Sequence, residues 1–241
     1  STYSKPVDQP NDTFHNIPVE TIPIYYINLD RNSDRRTTFF KPHDNVFRFR
    51  AFDGKTEMEE IEARAMQFLH PQSYQKFLKL SPAEKGCTIT HIQLISDLLR
   101  NTSHDYALIC EDDIVLHNYE KNMKKIIPLL PVSTDVVQLH MVNPKEILPL
   151  SKWQLYHWKE NYWSTGAYLI FRKGMAKLLG KLQKEAFQNF KADYIIYRPI
   201  TTYTLQPPVF VTSDAQSTIH KTHENMHKTA NQKILSLQKH L

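Results

Sequence analysis

Residues 107–115 read ALICEDDIV, an apolar run that stops at three consecutive acids, Glu111, Asp112 and Asp113. The apolar half is typical of a buried β-strand, and the abrupt change predicts that the strand ends where the acids begin. Adjacent carboxylates repel one another unless a cation neutralises them, and carboxylate oxygens suit Mg²⁺ and Mn²⁺. The stretch therefore predicts a metal site at a strand end, with a solvated acidic turn as the alternative.

The composition indicates a globular protein with one sizeable core. Of the 241 residues, 23% are charged and 11% are aromatic, which is unlike a disordered chain. The 30 basic residues outnumber the 25 acidic ones, and this excess suits an anionic partner such as a nucleotide or an acidic membrane face. Lys and Arg are scattered without the spacing of a nucleic-acid-binding motif, so nucleic acid is not an expected partner.

The cysteines and the hydropathy pattern bear on the compartment. Cys87 and Cys110 both lie in apolar segments, and we interpret them as reduced core thiols of a cytoplasmic protein. No apolar run is long enough to span a bilayer, and no signal peptide is recognisable. Residues 1–21 are polar and contain several prolines, so we expect an extended N-terminal arm there.

Strand patterns alternate with helix patterns from residue 22 onward. Strands are predicted at 22–29, 46–52, 106–110, 134–139 and 167–171, and helices at 57–69, 82–99, 118–127 and 173–184. This alternation predicts an α/β fold with a Rossmann-type, mainly parallel central sheet flanked by helices. Ligands of such sheets bind at the carboxyl ends of the strands, where Asp30 and the acids at 111–113 fall.

A charged loop follows the first predicted strand and contains Arg31, Arg35 and Arg36. Guanidinium groups clustered beyond the carboxyl end of a strand are suited to a diphosphate, because they can bind its oxygens in pairs. The alternative is an ordinary solvated helix start with Ser33 as its N-cap. The loop is thus a candidate phosphate-binding segment.

The clearest helix start in the sequence is at Ser81, which is followed by Pro82 and, three residues after the serine, by Glu84. Gly86 lies inside this helix at a cost of about 1 kcal/mol relative to Ala, which indicates that something approaches its backbone closely. His91 lies on the same helix. It is either a ligand-binding residue or a structural histidine.

Several separated segments occur in a characteristic order between about 22 and 220. They are YINLDR (26–31) with DRR (34–36), AEKGC (83–87) with TH (90–91), ALICEDDI (107–114), TGAYLI (165–170), AD (192–193) and residues 207–219. Together they resemble glycosyltransferase family 25, which includes bacterial lipooligosaccharide galactosyltransferases. The resemblance implies a GT-A catalytic domain over 22–220, a UDP-sugar donor, Mn²⁺ or Mg²⁺, inversion at the anomeric carbon, and a glycan or lipooligosaccharide acceptor.

The resemblance also implies roles for single residues. Asp113 and Asp112 would hold the metal, and His220 is a further metal-ligand candidate with an ordinary surface histidine as its alternative. Asp193, at the start of an apolar helix, is the candidate general base that takes the proton of the acceptor hydroxyl. The donor-binding candidates are Asn28, Asp30, Arg31, Arg35, Arg36, Gly86, His91, Glu111 and Asp112.

Two other functions compete with a transferase. Residues 223–227 read HENMH, a literal HExxH, which on a helix binds zinc in metalloproteases. Its polar flanks and the 14 residues that follow it offer little for a third ligand, which disfavours a protease. The other alternative is a sugar-binding protein that keeps the fold without catalysis, and the presence of the acids and of Asp193 argues against it.

The tail at 221–241 predicts a basic amphipathic helix. Its apolar positions recur every three or four residues and form one stripe, composed of Met226, Ala230, Ile234, Leu237 and Leu241. Such a helix can lie on an anionic membrane and bring the enzyme to a lipid-linked acceptor at the cytoplasmic leaflet. The alternative is that the stripe packs on the catalytic domain or on a second subunit.

Overall fold

The structure of the protein is a computed structural model that describes residues 5–8, 17–213 and 224–241. Its strands are β1 (Ile24–Asn28), β2 (Val46–Arg50), β3 (Tyr106–Glu111), β4 (Ile114–Val115), β5 (Val136–Gln138), β6 (Gln154–His157), β7 (Ala167–Phe171), β8 (Thr202–Gln206) and β9 (Val211–Thr212). Its α-helices are α1 (Ser33–Thr38), α2 (Met58–Phe68), α3 (Pro71–Phe77), α4 (Pro82–Asn101), α5 (Tyr119–Ile126), α6 (Arg172–Lys184), α7 (Ala192–Tyr197) and α8 (Glu224–Gln238).

Seven of the strands form one central sheet in the order β2-β1-β3-β7-β5-β8-β6. Strands β2, β1, β3, β5 and β8 run in one direction, while β7 and β6 run antiparallel to their neighbours. The predicted α/β fold with a mainly parallel sheet between helices is confirmed. Strands β4 and β9 pair separately as a short antiparallel ribbon.

Strand β3 lies inside the sheet and is buried on both faces, which explains its continuous apolar sequence. Because successive side chains of a strand point to opposite faces, Leu108 and Cys110 join the core on one face. Ala107 and Ile109 join the core on the other face, which contains side chains from α2, α4, α6 and α7. Two apolar cores therefore hold the strand end that carries the acids.

Helix α4 begins as its sequence predicts. The Ser81 hydroxyl accepts a hydrogen bond from the Glu84 N–H at 3.2 Å, and the Glu84 carboxylate accepts one from the Ser81 N–H at 3.2 Å. The expected close approach at Gly86 is also present, since a Cβ there would lie 2.7 Å from the carbonyl oxygen of Phe52. The neighbour is the protein's own backbone, so Gly86 permits packing of α4 on the segment after β2.

The C-terminal helix α8 packs on the rest of the protein. Ala230 and Ile234 of its apolar stripe are buried in a small core with Met141, Ile147, Tyr156 and Tyr162. The Asn231 side chain accepts a hydrogen bond from the Thr212 N–H at 3.0 Å and donates one to the Thr212 carbonyl at 2.8 Å. Of the two alternatives for the tail, packing on the catalytic domain is the one that the structure contains.

Some elements differ from the prediction. Strands β4, β6, β8 and β9 and helix α3 were not predicted. Helix α1 starts at Ser33 with Asn32, not Ser33, at its N-cap position. In the predicted arm, Pro6 forms a β-bridge with Tyr156, and the Val7 N–H donates to the Leu155 carbonyl at 2.7 Å. Residues 5–8 thus run along β6, an edge of the sheet. No helix in the described ranges is both long and apolar enough to cross a membrane.

Candidate active site

The carboxyl ends of β1 and β3 lie side by side, because the two strands are parallel neighbours with Ile27 opposite Glu111. Strand β7 runs antiparallel to β3, so its first residues reach the same edge of the sheet. There the Glu111 N–H donates to the Gly166 carbonyl at 2.8 Å. Residues that are far apart in sequence, around 28, 111 and 165, are therefore neighbours in space.

Two cavities open at this edge. The smaller one, about 150 Å³, is lined by Arg31 and Arg35 of the charged loop and by the acids at 111–113. The larger one, about 420 Å³, is lined by Asp193 and by side chains from the segment before β7 and from α8. The two cavities share three lining residues, Cys87, Glu111 and His227. Glu111 consequently lies at their junction.

Asp112 in the smaller cavity is held from two sides. Its carboxylate accepts a hydrogen bond from the Asn28 amide at 2.8 Å and one from the Arg35 guanidinium at 3.3 Å. Burial raises the pKa of Asp112 above its usual value, although these two contacts favour the ionised form. Asn28 itself is buried and acts through Asp112, while Arg35 both lines the cavity and touches the acid.

Asp113 carries a buried oxygen, Oδ1, for which the described residues offer no hydrogen-bond partner. Burial, followed by the charges of Glu111 and Asp112, raises the pKa of Asp113 to about 7. Buried polar atoms are nearly always paired, so a carboxylate oxygen without a partner among the described residues indicates a partner beyond them. A hard divalent cation fits, because it would pair this oxygen and neutralise the clustered charge.

Glu111 and Asp112 are held by different side chains. Its Oε1 accepts a hydrogen bond from the Thr165 hydroxyl at 2.8 Å and lies 3.6 Å from His91 Nε2. The other ring nitrogen of His91, Nδ1, is 2.7 Å from the Tyr168 hydroxyl. Although burial opposes its ionisation, the contacts with His91 and Thr165 hold the pKa of Glu111 below its usual value. All three acids thus line the smaller cavity, as expected, and Glu111 also lines the larger one.

Asp193 lies in the first turn of α7, and its carboxylate faces the larger cavity. Its Oδ1 accepts a hydrogen bond from the Tyr194 N–H at 2.9 Å. Burial raises the pKa of Asp193 above its usual value, which makes the carboxylate a stronger base. The Trp163 ring lies at the same cavity and is 39% exposed, a position in which an indole can stack on a sugar.

Ser164, between Trp163 and Thr165, has an unusual backbone conformation for a residue with a side chain, with φ of 139°. Its hydroxyl lies 2.7 Å from His140 Nδ1 and accepts from the Gly166 N–H at 2.8 Å. Its carbonyl accepts from the Tyr197 hydroxyl at 2.7 Å. Surrounding contacts therefore maintain a strained residue at the cavity wall, as is common at functional sites.

Some candidates from the sequence lie outside these cavities. Asp30 is mostly exposed and pairs with Arg48 at 2.6 Å, while Arg36 and Gly86 do not line either cavity. The donor-binding roles of Asp30, Arg36 and Gly86 stay predictions without support from the cavity linings. His220 and His223, the first histidine of HExxH, lie outside the described residues.

Sequence reasoning missed other residues of the site. Cys87, expected in the core, is half-buried and lines both cavities, whereas Cys110 is fully buried as expected. Met226 and His227 of α8 line the larger cavity, although the sequence analysis placed Met226 only in the apolar stripe and His227 only in the disfavoured HExxH motif. The spacing of Cys87 and His91, four residues apart on one helix, was the available signal for the first of these.

The fold and the site define a GT-A-like α/β protein, with acidic and basic side chains at the carboxyl edge of a Rossmann-like sheet. The family model described as "Glycosyltransferase family 25 (LPS biosynthesis protein)" matches residues 21–196. The chain therefore belongs to glycosyltransferase family 25. No curated protein matches the sequence. Helix α8, with Met226 and His227, lies beyond the matched region.

Proposed function

We propose that the protein transfers a hexose, galactose in the first instance, from a UDP-sugar to a glycan acceptor in lipopolysaccharide or lipooligosaccharide biosynthesis, with inversion at the anomeric carbon. Membership of the family supports the reaction class and the pathway. The proposal places the enzyme in the cytoplasm. The apolar stripe of α8 packs against the protein and gives no support to peripheral membrane contact. The acceptor would reach the site through the larger cavity.

The smaller cavity would take the nucleotide end of the donor. Arg31 and Arg35 line it and can bind diphosphate oxygens as bidentate hydrogen-bond donors. Arg31 also pairs with Asp53 at 3.0 Å, and Arg35 with Asp112, so both guanidinium groups are already oriented. Asn28 would keep Asp112 in place, and preorganisation of this kind lowers the cost of binding.

Asp113 and Asp112 would hold the divalent cation, since one has a buried unpaired oxygen and the other lies beside it. When bound, Mn²⁺ or Mg²⁺ supplies positive charge that stabilises the diphosphate leaving group. Glu111 lies at the junction of the cavities and would contact the donor where its sugar enters the larger one. His91 and Thr165 fix the orientation of this glutamate.

The larger cavity would take the acceptor, and Asp193 would accept the proton of the attacking hydroxyl. Inversion requires such a base on the side opposite to the leaving group, and Asp193 lies in the cavity on the far side of Glu111. Glu84, Glu160 and Asp193 outnumber Lys191 at this wall. This balance favours a neutral sugar hydroxyl over a phosphate near Asp193.

The observation that carries the proposal is that Glu111 lines two neighbouring cavities, one of which contains the acid pair and the other Asp193. The test is UDP release from a panel of UDP-sugars, with Mn²⁺ and with a chelator, in the absence and presence of truncated lipooligosaccharide. We expect metal-dependent release, fastest with UDP-galactose and increased by acceptor. Binding of UDP-sugars without release from any of them would instead support the non-catalytic sugar-binding alternative.

A further inference from the structure

We propose that Cys87, His91 and Glu111 form a binding site for Zn²⁺ at the junction of the two cavities. One ligand atom from each of these residues lies within 4.8 Å of the other two. It is the one such group of three that the described part of the chain contains. The site is separate from the pair of Asp112 and Asp113 to which we assign the hard cation.

Rigid elements present the three ligands. Cys87 and His91 are four residues apart on α4, so both side chains point from the same face of the helix. Glu111 ends β3, a strand fixed between two cores. Ligands carried by packed helices and strands keep their geometry better than ligands on loops. Only small side-chain rotations are then needed to contract the group around an ion.

Hydrogen bonds already orient two of the ligands. His91 is 1% exposed, and its Nδ1 lies 2.7 Å from the Tyr168 hydroxyl, which leaves Nε2 directed at Glu111, 3.6 Å away. Thr165 donates to Glu111 Oε1 at 2.8 Å. Metal-binding histidines characteristically use the second ring nitrogen for such a contact, which fixes the tautomer and the ring orientation. Tyr168 and Thr165 therefore act as the outer partners of the site.

The chemistry of the ligands selects the metal. A sulfur, an imidazole nitrogen and a carboxylate oxygen suit Zn²⁺, whereas Mg²⁺ and Mn²⁺ prefer oxygen ligands throughout. Three protein ligands leave a fourth position, which here faces the cavities because all three residues line the smaller one. On binding, the Cys87 thiol releases its proton to solvent and its sulfur bonds to zinc, without any change of oxidation state.

Zinc at this place would inhibit the enzyme. Glu111 lines both cavities, so an ion bound to it would occupy the place where the sugar of the donor is proposed to meet the acceptor. This inhibitory consequence rests on the proposed function. The zinc site itself does not, because it depends only on the three ligands and their geometry.

The test is a titration of the full-length protein with Zn²⁺ against a chromophoric chelator, without nucleotide. We expect 1:1 binding that Cys87→Ala weakens by roughly 100-fold or more, and that Tyr168→Phe weakens by about 10- to 100-fold as an outer partner does. Cys110→Ala is the matched control, because Cys110 points into the opposite core, and it should retain wild-type affinity. Substitution with Co²⁺ should give a thiolate-to-cobalt charge-transfer band that is absent in Cys87→Ala.

Wild-type zinc affinity in Cys87→Ala, or a cobalt spectrum without the thiolate band, would overturn the proposal. Asp113→Ala distinguishes the two metal sites. It should weaken zinc binding by about tenfold at most, because Asp113 is not one of the three ligands and acts on Glu111 only through its charge. A loss as large as that in Cys87→Ala would assign zinc to the acid pair. The titration needs no substrate, so an absence of UDP-sugar turnover would contradict the proposed function while leaving this result intact.

Discussion

At the scale of single residues, the Asp113 carboxylate destabilises the folded protein when it is ionised, because Oδ1 is buried and finds no partner among the described residues. The pKa of Asp113 is about 7 in the folded protein and 3.8 for an ordinary aspartate. Between pH 3.8 and pH 7 the folded protein therefore keeps a proton on Asp113 that the unfolded chain has lost. Stability therefore falls as the pH rises from about 4 to 7.

We predict that Asp113→Asn, in the presence of a chelator, equals the wild type in stability near pH 4 and exceeds it above pH 7. The measurement is the free energy of unfolding by urea at both pH values. The same variant should lose metal-dependent UDP binding in calorimetry. An equal stability difference at the two pH values, or intact metal-dependent binding, would contradict the roles assigned to Asp113.

Asp193 gives a second prediction at this scale. Asp193→Asn should lower kcat by roughly 100-fold or more with little change in donor KM, as expected when a general base is lost. Burial raises the pKa of Asp193, and the base acts only when ionised. The wild-type rate should therefore fall as the pH drops through a pKa above 3.8, and the residual rate of the variant should lack this decline.

A matched control for Asp193 is Asp97→Asn, because Asp97 lies on α4 outside both cavities and accepts a hydrogen bond from Gln93. It should keep the wild-type rate and pH profile. If donor binding and kcat fell together in Asp193→Asn, the residue would be a donor contact or a structural cap of α7.

At the scale of elements, two glycines inside helices differ in the space around them and can be compared by the same substitution. A Cβ on Gly86 of α4 would lie 2.7 Å from the Phe52 carbonyl oxygen, a backbone atom that cannot rotate away. A Cβ on Gly180 of α6 would meet nothing within 4 Å in the described structure. We predict that Gly86→Ala destabilises the protein by about 1–3 kcal/mol. Gly180→Ala should stabilise it by up to about 1 kcal/mol through helix propensity.

Both values can be read from urea unfolding, and the two variants share the same chemical change. Equal stabilisation by both alanines would show that α4 does not depend on close packing at Gly86. The two changes in the free energy of unfolding should therefore have opposite signs. Helix propensity favours alanine at both positions, but only the Cβ at position 86 clashes with a backbone atom.

The elements that sequence patterns predicted well are those with long apolar runs or clear caps. β3 and α4 follow directly from ALICEDD and from the capping box at Ser81, and they carry Glu111 and His91 to the site. β8 was missed because alternate positions are polar yet buried. Thr204, for example, donates to Gln138 inside the sheet at 2.8 Å. A polar pair satisfied across two strands has no signature in either segment alone.

Some of the residues that line the cavities could be predicted from the sequence, and others could not. The acids and arginines at strand ends could be predicted because parallel strands bring their carboxyl ends together. Cys87 and His227 could not, since their place in the cavities depends on how α4 and α8 pack against the sheet. Asp30 shows the converse, because its position at a strand end was right while its side chain turns to Arg48.

At the scale of the whole molecule, α8 shares an apolar core with residues from the rest of the protein. We predict that deleting residues 224–241 lowers the free energy of unfolding by several kcal/mol, because buried Ala230 and Ile234 and the Asn231 hydrogen bonds are lost together. Full-length protein should not insert into anionic liposomes, since its apolar stripe is covered.

Leu235→Ala serves as the control for the deletion, because Leu235 lies on the same helix and is 51% exposed. It should change stability by less than about 0.5 kcal/mol. A truncated protein with wild-type stability, or salt-resistant sedimentation of the full chain with liposomes, would restore the membrane interpretation of the tail.

The short segment at residues 5–8 has a consequence for self-association. An edge strand exposes unpaired N–H and C=O groups and can pair with a strand of another molecule. Val7 donates to the Leu155 carbonyl on β6, so this segment occupies hydrogen-bonding positions on that edge. Limited proteolysis that removes it would turn the last strand of the sheet into a template for intermolecular pairing, and the trimmed protein would aggregate through β6 while its two cavities stay intact.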